Sequence, residues 1–156
     1  MEIRKIRPED LSSVLALLRE LAAYENLTEY CTVTDERLHI AMFAANAVLQ
    51  GLIAFEGDTT VGYALYYPNF SSFRGERGFH LDDIYVTSAC RGQGVGQSML
   101  KEIAHEAASR GFERIDFNVL DWNTPAIDFY KKLGAVSNDE ETHFKFAGDA
   151  FEHLTS

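Results

Sequence analysis

The chain has 156 residues, 46% of them hydrophobic, and its 14 Lys and Arg stand against 24 Asp and Glu for a formal net charge of −10. That length makes one domain, 1–156, with room for a sizeable core, and the acidic balance disfavours nucleic acid, whose phosphates would be repelled. No apolar run approaches the ~20 residues a membrane-spanning helix needs, so no membrane association is expected. The start, Met1-Glu2-Ile3-Arg4-Lys5, lacks a signal peptide's apolar stretch, so a cytoplasmic location is expected. Cys31 and Cys90 form no CxxC pair and the five histidines are scattered, which predicts ordinary thiols and no metal.

In chain order, Glu2 to Arg7 reads as an edge strand. Pro8, followed by Glu9 and Asp10, opens a helix whose face is Leu11, Val14, Leu15, Leu18, Leu21 and Ala22, ending near Tyr24. Glu25 to Cys31 is a loop, and Thr34 caps a second helix through about Phe43. Val48 to Phe55 and Val61 to Tyr67 form a hairpin around Glu56-Gly57-Asp58. Pro68 to Gly78 reads as a longer loop. Leu81 to Val86 is a central strand, followed by glycines at 92, 94 and 96. A helix then runs through Val95, Met99, Leu100, Ile103, Ala104 and Ala107 to a stop at Gly111. Arg114 to Val119 is a strand, Asn123-Thr124-Pro125 opens a helix ending at Leu133-Gly134, and Thr142 to Phe146 alternates as a last strand. This order predicts an α/β (α+β) domain with a mixed sheet, its parallel pair formed by the Leu81 and Arg114 strands across the intervening helix.

Strand, glycine loop and helix start together frame a phosphate, because a helix N-terminus presents unpaired N–H groups. A Walker A loop would need Lys where Gln97 stands, and a dinucleotide loop would place its third glycine one residue later. Arg91, Gly94 and Gly96 give Arg-x-x-Gly-x-Gly, which resembles the pyrophosphate signature of the GNAT superfamily of N-acetyltransferases, users of acetyl-coenzyme A. A turn that merely caps a helix has the same composition; the position directly after a strand favours the coenzyme. The stretch from Asn123 through Phe129-Tyr130 to Gly134-Ala135 is similar to that superfamily's companion motif. Leu21-Ala22-Ala23-Tyr24-Glu25, Leu81 to Val86, Arg91 to Gly96 and Trp122 to Pro125 narrow the resemblance to the diamine (spermidine/spermine) and thialysine N-acetyltransferases, from Ile6 to about Phe146.

The resemblance implies a GNAT-like, mostly antiparallel sheet with a central parallel pair and flanking helices. It implies that acetyl-CoA is held by Ile84, Tyr85, Val86, Arg91, Gly92, Gln93, Gly94, Val95, Gly96, Gln97, Asn123, Pro125, Ala126 and Tyr130. Tyr130 would protonate the leaving thiolate, and a backbone N–H at a strand bulge around Ile84 to Val86 would meet the oxyanion. Tyr24 and Glu25, with Asp82 and Glu141, would bind substrate, and the protein would be a homodimer. An alkylammonium must lose a proton before it can attack, and Asp82 is the candidate acceptor, directly or through water. Asp82 stands where the polyamine enzymes carry Glu and is one methylene shorter. The competing readings are a charge-paired acid at Asp82 and a core aromatic at Tyr130 beside Phe129. Asp83 ranks below Asp82 because it alternates to the opposite face. The expected acceptor is a small cation with a primary amine, a polyamine or diamine or a lysine analogue such as thialysine. A lysine-like acceptor would need Arg74 or Arg77 for its carboxylate. The alternatives are another amine (an amino acid, a protein N-terminus or a protein lysine) and a coenzyme A-binding module without catalysis.

Overall fold

The computed structural model describes residues 1–138 and 140–156. The chain forms two compact units, Met1–Asn118 and Val119–Ser156. The first contains strands β1 (Glu2–Lys5), β2 (Gln50–Glu56), β3 (Thr59–Ser71), β4 (Glu76–Val86) and β5 (Arg114–Asp116), and helices α1 (Leu11–Tyr24), α2 (Asp35–Phe43) and α3 (Val95–Ser109). The second contains α4 (Thr124–Lys132) and α5 (Asp149–Thr155).

The five strands lie in sequence order in one sheet. Each neighbour is antiparallel except β4 and β5, the parallel pair joined through α3. One face, carrying Tyr66, Phe79 and Leu81, packs on Val95, Met99, Ile103 and Ala107 of α3. The other, with Ile53, Tyr63, Leu65 and Tyr85, packs on Leu11, Val14, Leu15 and Leu17 of α1 and Leu38 of α2. Helical and strand periods thus meet as the apolar spacing predicts. Thr34 caps α2, its hydroxyl accepting from the Arg37 N–H at 3.2 Å. Arg4 ties β1 to the start of α1 through a two-pronged pair with Asp10 at 2.6 and 2.9 Å.

Four expectations need correction. The Pro68 to Gly78 loop is largely strand: β3 runs on to Ser71 and β4 begins at Glu76, with Pro68 opposite Phe79. The β2 ladder ends at Gln50 opposite Tyr66, so Pro68 lies where β3 is an edge and proline is tolerated. The strand expected over Arg114 to Val119 stops at Asp116. The strand expected over Thr142 to Phe146 is absent, and its side chains are exposed. Alternation makes a strand only where a neighbouring backbone can pair.

The fourth correction concerns the bulge. Leu65 pairs with Asp83 while Tyr66 pairs with Leu81, so Asp82 is the extra residue, not Ile84 to Val86. The packing agrees: Phe79 and Leu81 belong to the α3 face, and so do Ile84 and Val86, three rather than two positions on. A bulge bends its strand and interrupts the ladder. The β4–β5 pairing accordingly ends at His80 opposite Asp116.

Candidate active site

The bulge sets the two acids of β4 in different places. Asp82 is exposed. Asp83 shares the α1 face with its partner Leu65 and accepts a long hydrogen bond, 3.4 Å, from the Tyr63 hydroxyl. It lines a cavity of about 440 Å³ between the end of α1, the α1–α2 connection and the sheet. Glu25, the residue that closes α1, lines the same cavity among Leu18, Leu21 and Val33. Burial, with the charges of Asp82 and Glu25, pushes the Asp83 carboxyl up to about 7, against the opposing hydrogen bond from Tyr63. Burial also raises Glu25. Two carboxylates and an apolar wall suit a ligand with a cationic end and an aliphatic body. The sequence ranked Asp83 below Asp82 by simple alternation, which takes no account of the bulge that puts Asp83 on the α1 face.

Past His80, β4 has no β5 partner, which leaves a backbone edge from Leu81 to Val86, including Ile84 and Tyr85, for an extended ligand. At its end comes the glycine loop. Gly92 and Gly94 take φ of 76° and 83°, a region glycine enters at no cost. A side chain at either would meet nothing within 4 Å, so the loop borders open space. Gly94 caps α3 without a side-chain hydrogen bond. The first N–H groups of that helix, those of Val95, Gly96 and Gln97, have no acceptor within it. This donor set fits a pyrophosphate. Gln93 Nε2 braces the loop on the Ala89 carbonyl at 3.2 Å. Arg91, though exposed, folds back over the end of β4: its Nε donates to the Val86 carbonyl at 3.0 Å, and its guanidinium lies 4.7 Å from the Tyr24 ring and 5.4 Å from that of Tyr85. The loop is thereby joined to the end of α1, beside Glu25.

In the second unit, Asn123 caps α4 by accepting from the Ala126 N–H at 3.4 Å, with Pro125 in the first turn. Tyr130 lies on α4 in edge contact with Phe129, ring centres 5.2 Å apart. Burial pushes its phenol up to about 12, so the hydroxyl is protonated at neutral pH, as an ordinary tyrosine is. Glu141 is exposed, in coil rather than before a strand. No group of three His, Cys, Asp or Glu that could hold a metal occurs among the described residues.

The sequence model for the Acetyltransferase (GNAT) family matches residues 16–135. The chain belongs to the GNAT acetyltransferase family. It is 37% identical to the thialysine N-epsilon-acetyltransferase of Bos taurus over 97% of this chain and 95% of that protein. It is 34% identical to the Homo sapiens spermidine/spermine N(1)-acetyltransferase-like protein 1, over 93% of this chain and 22% of that one. Among solved structures, an integron cassette protein from the mobile metagenome of V. cholerae superposes with a TM-score of 0.82, covering 99% of this chain and 96% of its own at 23% identity. As a GNAT protein this chain is an acetyl-CoA-dependent N-acetyltransferase of amine substrates, with acetyl-CoA as co-substrate. The glycine loop and open β4 edge are the features of the family frame that fit that coenzyme.

Proposed function

We propose that this GNAT enzyme acetylates a primary amine of a small, multiply charged acceptor, a polyamine or diamine or a lysine analogue such as thialysine. The observation that carries the reading is the presence of Glu25 and Asp83 in the lining of one mostly apolar cavity. The thialysine and spermidine/spermine names of the relatives point the same way. Acetyl-CoA supplies the activated acyl group. Its pyrophosphate rests on the Gly92 to Gln97 backbone with Arg91 lending charge, and its arm lies along Ile84, Tyr85 and Val86. Asn123, Pro125 and Ala126 complete the coenzyme contacts.

Tyr24 and Glu25 orient the acceptor, and Glu141 adds a further carboxylate. The acceptor's proton passes to the Asp82–Asp83 pair, Asp83 taking it inside the cavity and Asp82 connecting that acid to water. The freed amine can then form its bond to the acyl carbon. As the carbon–sulfur bond breaks, the Tyr130 hydroxyl gives the departing sulfur a proton. Holding both reactants in one place supplies much of the acceleration.

The whole chain acts as one domain in the cytoplasm, as a homodimer, without nucleic-acid or membrane partners. The exposed apolar side chains of the second unit, Val136 at 96% and Phe144 at 85%, support a second copy as their cover; sedimentation would read the mass. The test of function is coenzyme A release with acetyl-CoA and spermidine, putrescine, thialysine, lysine or a neutral amino alcohol. An acceptor with two ammonium groups, whether a diamine or a lysine analogue, should have a higher kcat/KM than the amino alcohol, and Glu25→Gln should erase that preference. Preference for the neutral amine would overturn the reading, and no turnover with any acceptor would favour a binding module.

A further inference from the structure

The cavity that holds Glu25 and Asp83 is also lined by one base, Arg37. Arg37 sits in the first turn of α2, set by the Thr34 cap. Its guanidinium makes no ion pair within 4.0 Å with a described carboxylate, although Glu25 and Asp83 line the same space. Arg74 and Arg77, the bases singled out in the sequence, are not in this lining. Arg77 instead lies over the Phe112 ring at 4.6 Å, and residue 74 is in the β3–β4 turn.

A guanidinium keeps its charge at every working pH and carries a planar fork of donors that matches a carboxylate. A wholly cationic polyamine has nothing to offer it and is repelled by it. An α-amino acid with an amine at the end of its side chain matches all three charges. Its carboxylate would meet Arg37, its α-ammonium Glu25 and its terminal amine Asp83, with its methylenes against Leu18 and Leu21 of the same lining. We propose that Arg37 is the specificity residue of the acceptor site. It binds the acceptor's carboxylate and turns the enzyme toward lysine-like amino acids and away from plain diamines. This rests on the acceptor occupying the Glu25–Asp83 cavity.

The test compares lysine with 1,5-diaminopentane, which is lysine without its carboxylate, in the wild type, Arg37→Gln and Arg37→Lys. Lysine should be preferred by the wild type, and Arg37→Gln should collapse the lysine-to-diamine ratio of kcat/KM by about ten- to a hundredfold, the loss of one charge-assisted contact. Arg37→Lys should restore part of it. A ratio unchanged in Arg37→Gln overturns the proposal. Calorimetric titration of lysine without acetyl-CoA separates this from the functional reading. Lysine binding that weakens tenfold or more in Arg37→Gln sustains the role of Arg37 even if neither compound is acetylated. Wild-type protein that does not bind lysine, or binds it equally well without Arg37, sinks it. The exposure of Arg37 makes a folding defect unexpected, and circular dichroism of each variant checks it.

Discussion

Asp83 holds its proton until the pH nears 7, and a carboxylate must be ionised to accept another. The expected profile of kcat/KM therefore has an acid limb near pH 7. Asp83→Asn should remove that limb and lower kcat/KM about a hundredfold or more, the range of a lost general base. If Asp82→Asn produced both effects and Asp83→Asn neither, Asp82 would be the acceptor. Tyr130 makes the opposite case, since in the proposed step it acts as an acid and must be protonated, as its phenol is at neutral pH. Tyr130→Phe should cut kcat about a hundredfold while calorimetry finds acetyl-CoA affinity within about twofold, since the ring remains. Unchanged kcat would leave Tyr130 a packing residue. The glycine loop and the place of Glu25 at the end of α1 were legible in the sequence because local pattern fixes them. That Asp83 and Arg37 line one cavity with Glu25 was not, because a bulge and a cavity wall arise from three-dimensional neighbours.

Elements were legible wherever one element's own pattern decides its fate. The Thr34 and Asn123 caps and the Gly111 stop stand as read, and so does the apolar stripe of α1 except that Leu17 joins it as a buried residue. Errors fell where a neighbour decides: Pro68 is allowed by the end of β2, β5 is cut short where β4 bends, and Thr142 to Phe146 finds no strand to pair with. The short β4–β5 ladder rests on Gly78, where a methyl group would strike the Arg114 carbonyl oxygen. Gly78→Ala should cost about 1–3 kcal/mol, the range of overpacking, measured by urea unfolding. An unchanged midpoint would mean that β5 shifts freely. Gly94 differs, since it has space but a positive φ. Gly94→Val should lose about 1–2 kcal/mol of stability and also weaken acetyl-CoA binding, read by calorimetry; affinity equal to wild type would remove the pyrophosphate from this loop.

Acid stability draws on charges spread over the whole first unit. Asp10 is held below its ordinary value by its hydrogen bonds with Arg4. For Glu106 and Asp116, burial pulls upward but is outweighed, by Lys5 and Tyr66 at one and by His80 and Asn69 at the other. The stability from these three is complete above the ordinary values of 3.8 and 4.5 and is lost as pH falls through their lower folded values. Asp83 works in the other direction. With a folded value near 7 against 3.8 unfolded, the native state binds more protons between those limits, so Asp83 lowers stability as pH rises across them. Urea midpoints should peak at about pH 4.5, where the three carboxylates are largely ionised in both states and Asp83 has begun its opposing effect, and Asp83→Asn should flatten the decline toward neutrality. A midpoint that climbs steadily to pH 8 in the wild type would contradict the burial of that carboxyl. Asp82, finally, acts as a spacer between the layers of the molecule. Before it, odd-numbered β4 side chains face α3; after it, even-numbered ones do. Deleting Asp82 would restore a regular ladder and leave Asp83 and Tyr85 on the α1 face, because the residues on either side of it then alternate without a break. What its loss would remove is the bend that frees the β4 edge beyond His80, so an in-frame single-codon deletion there would fall on that open edge rather than on the core.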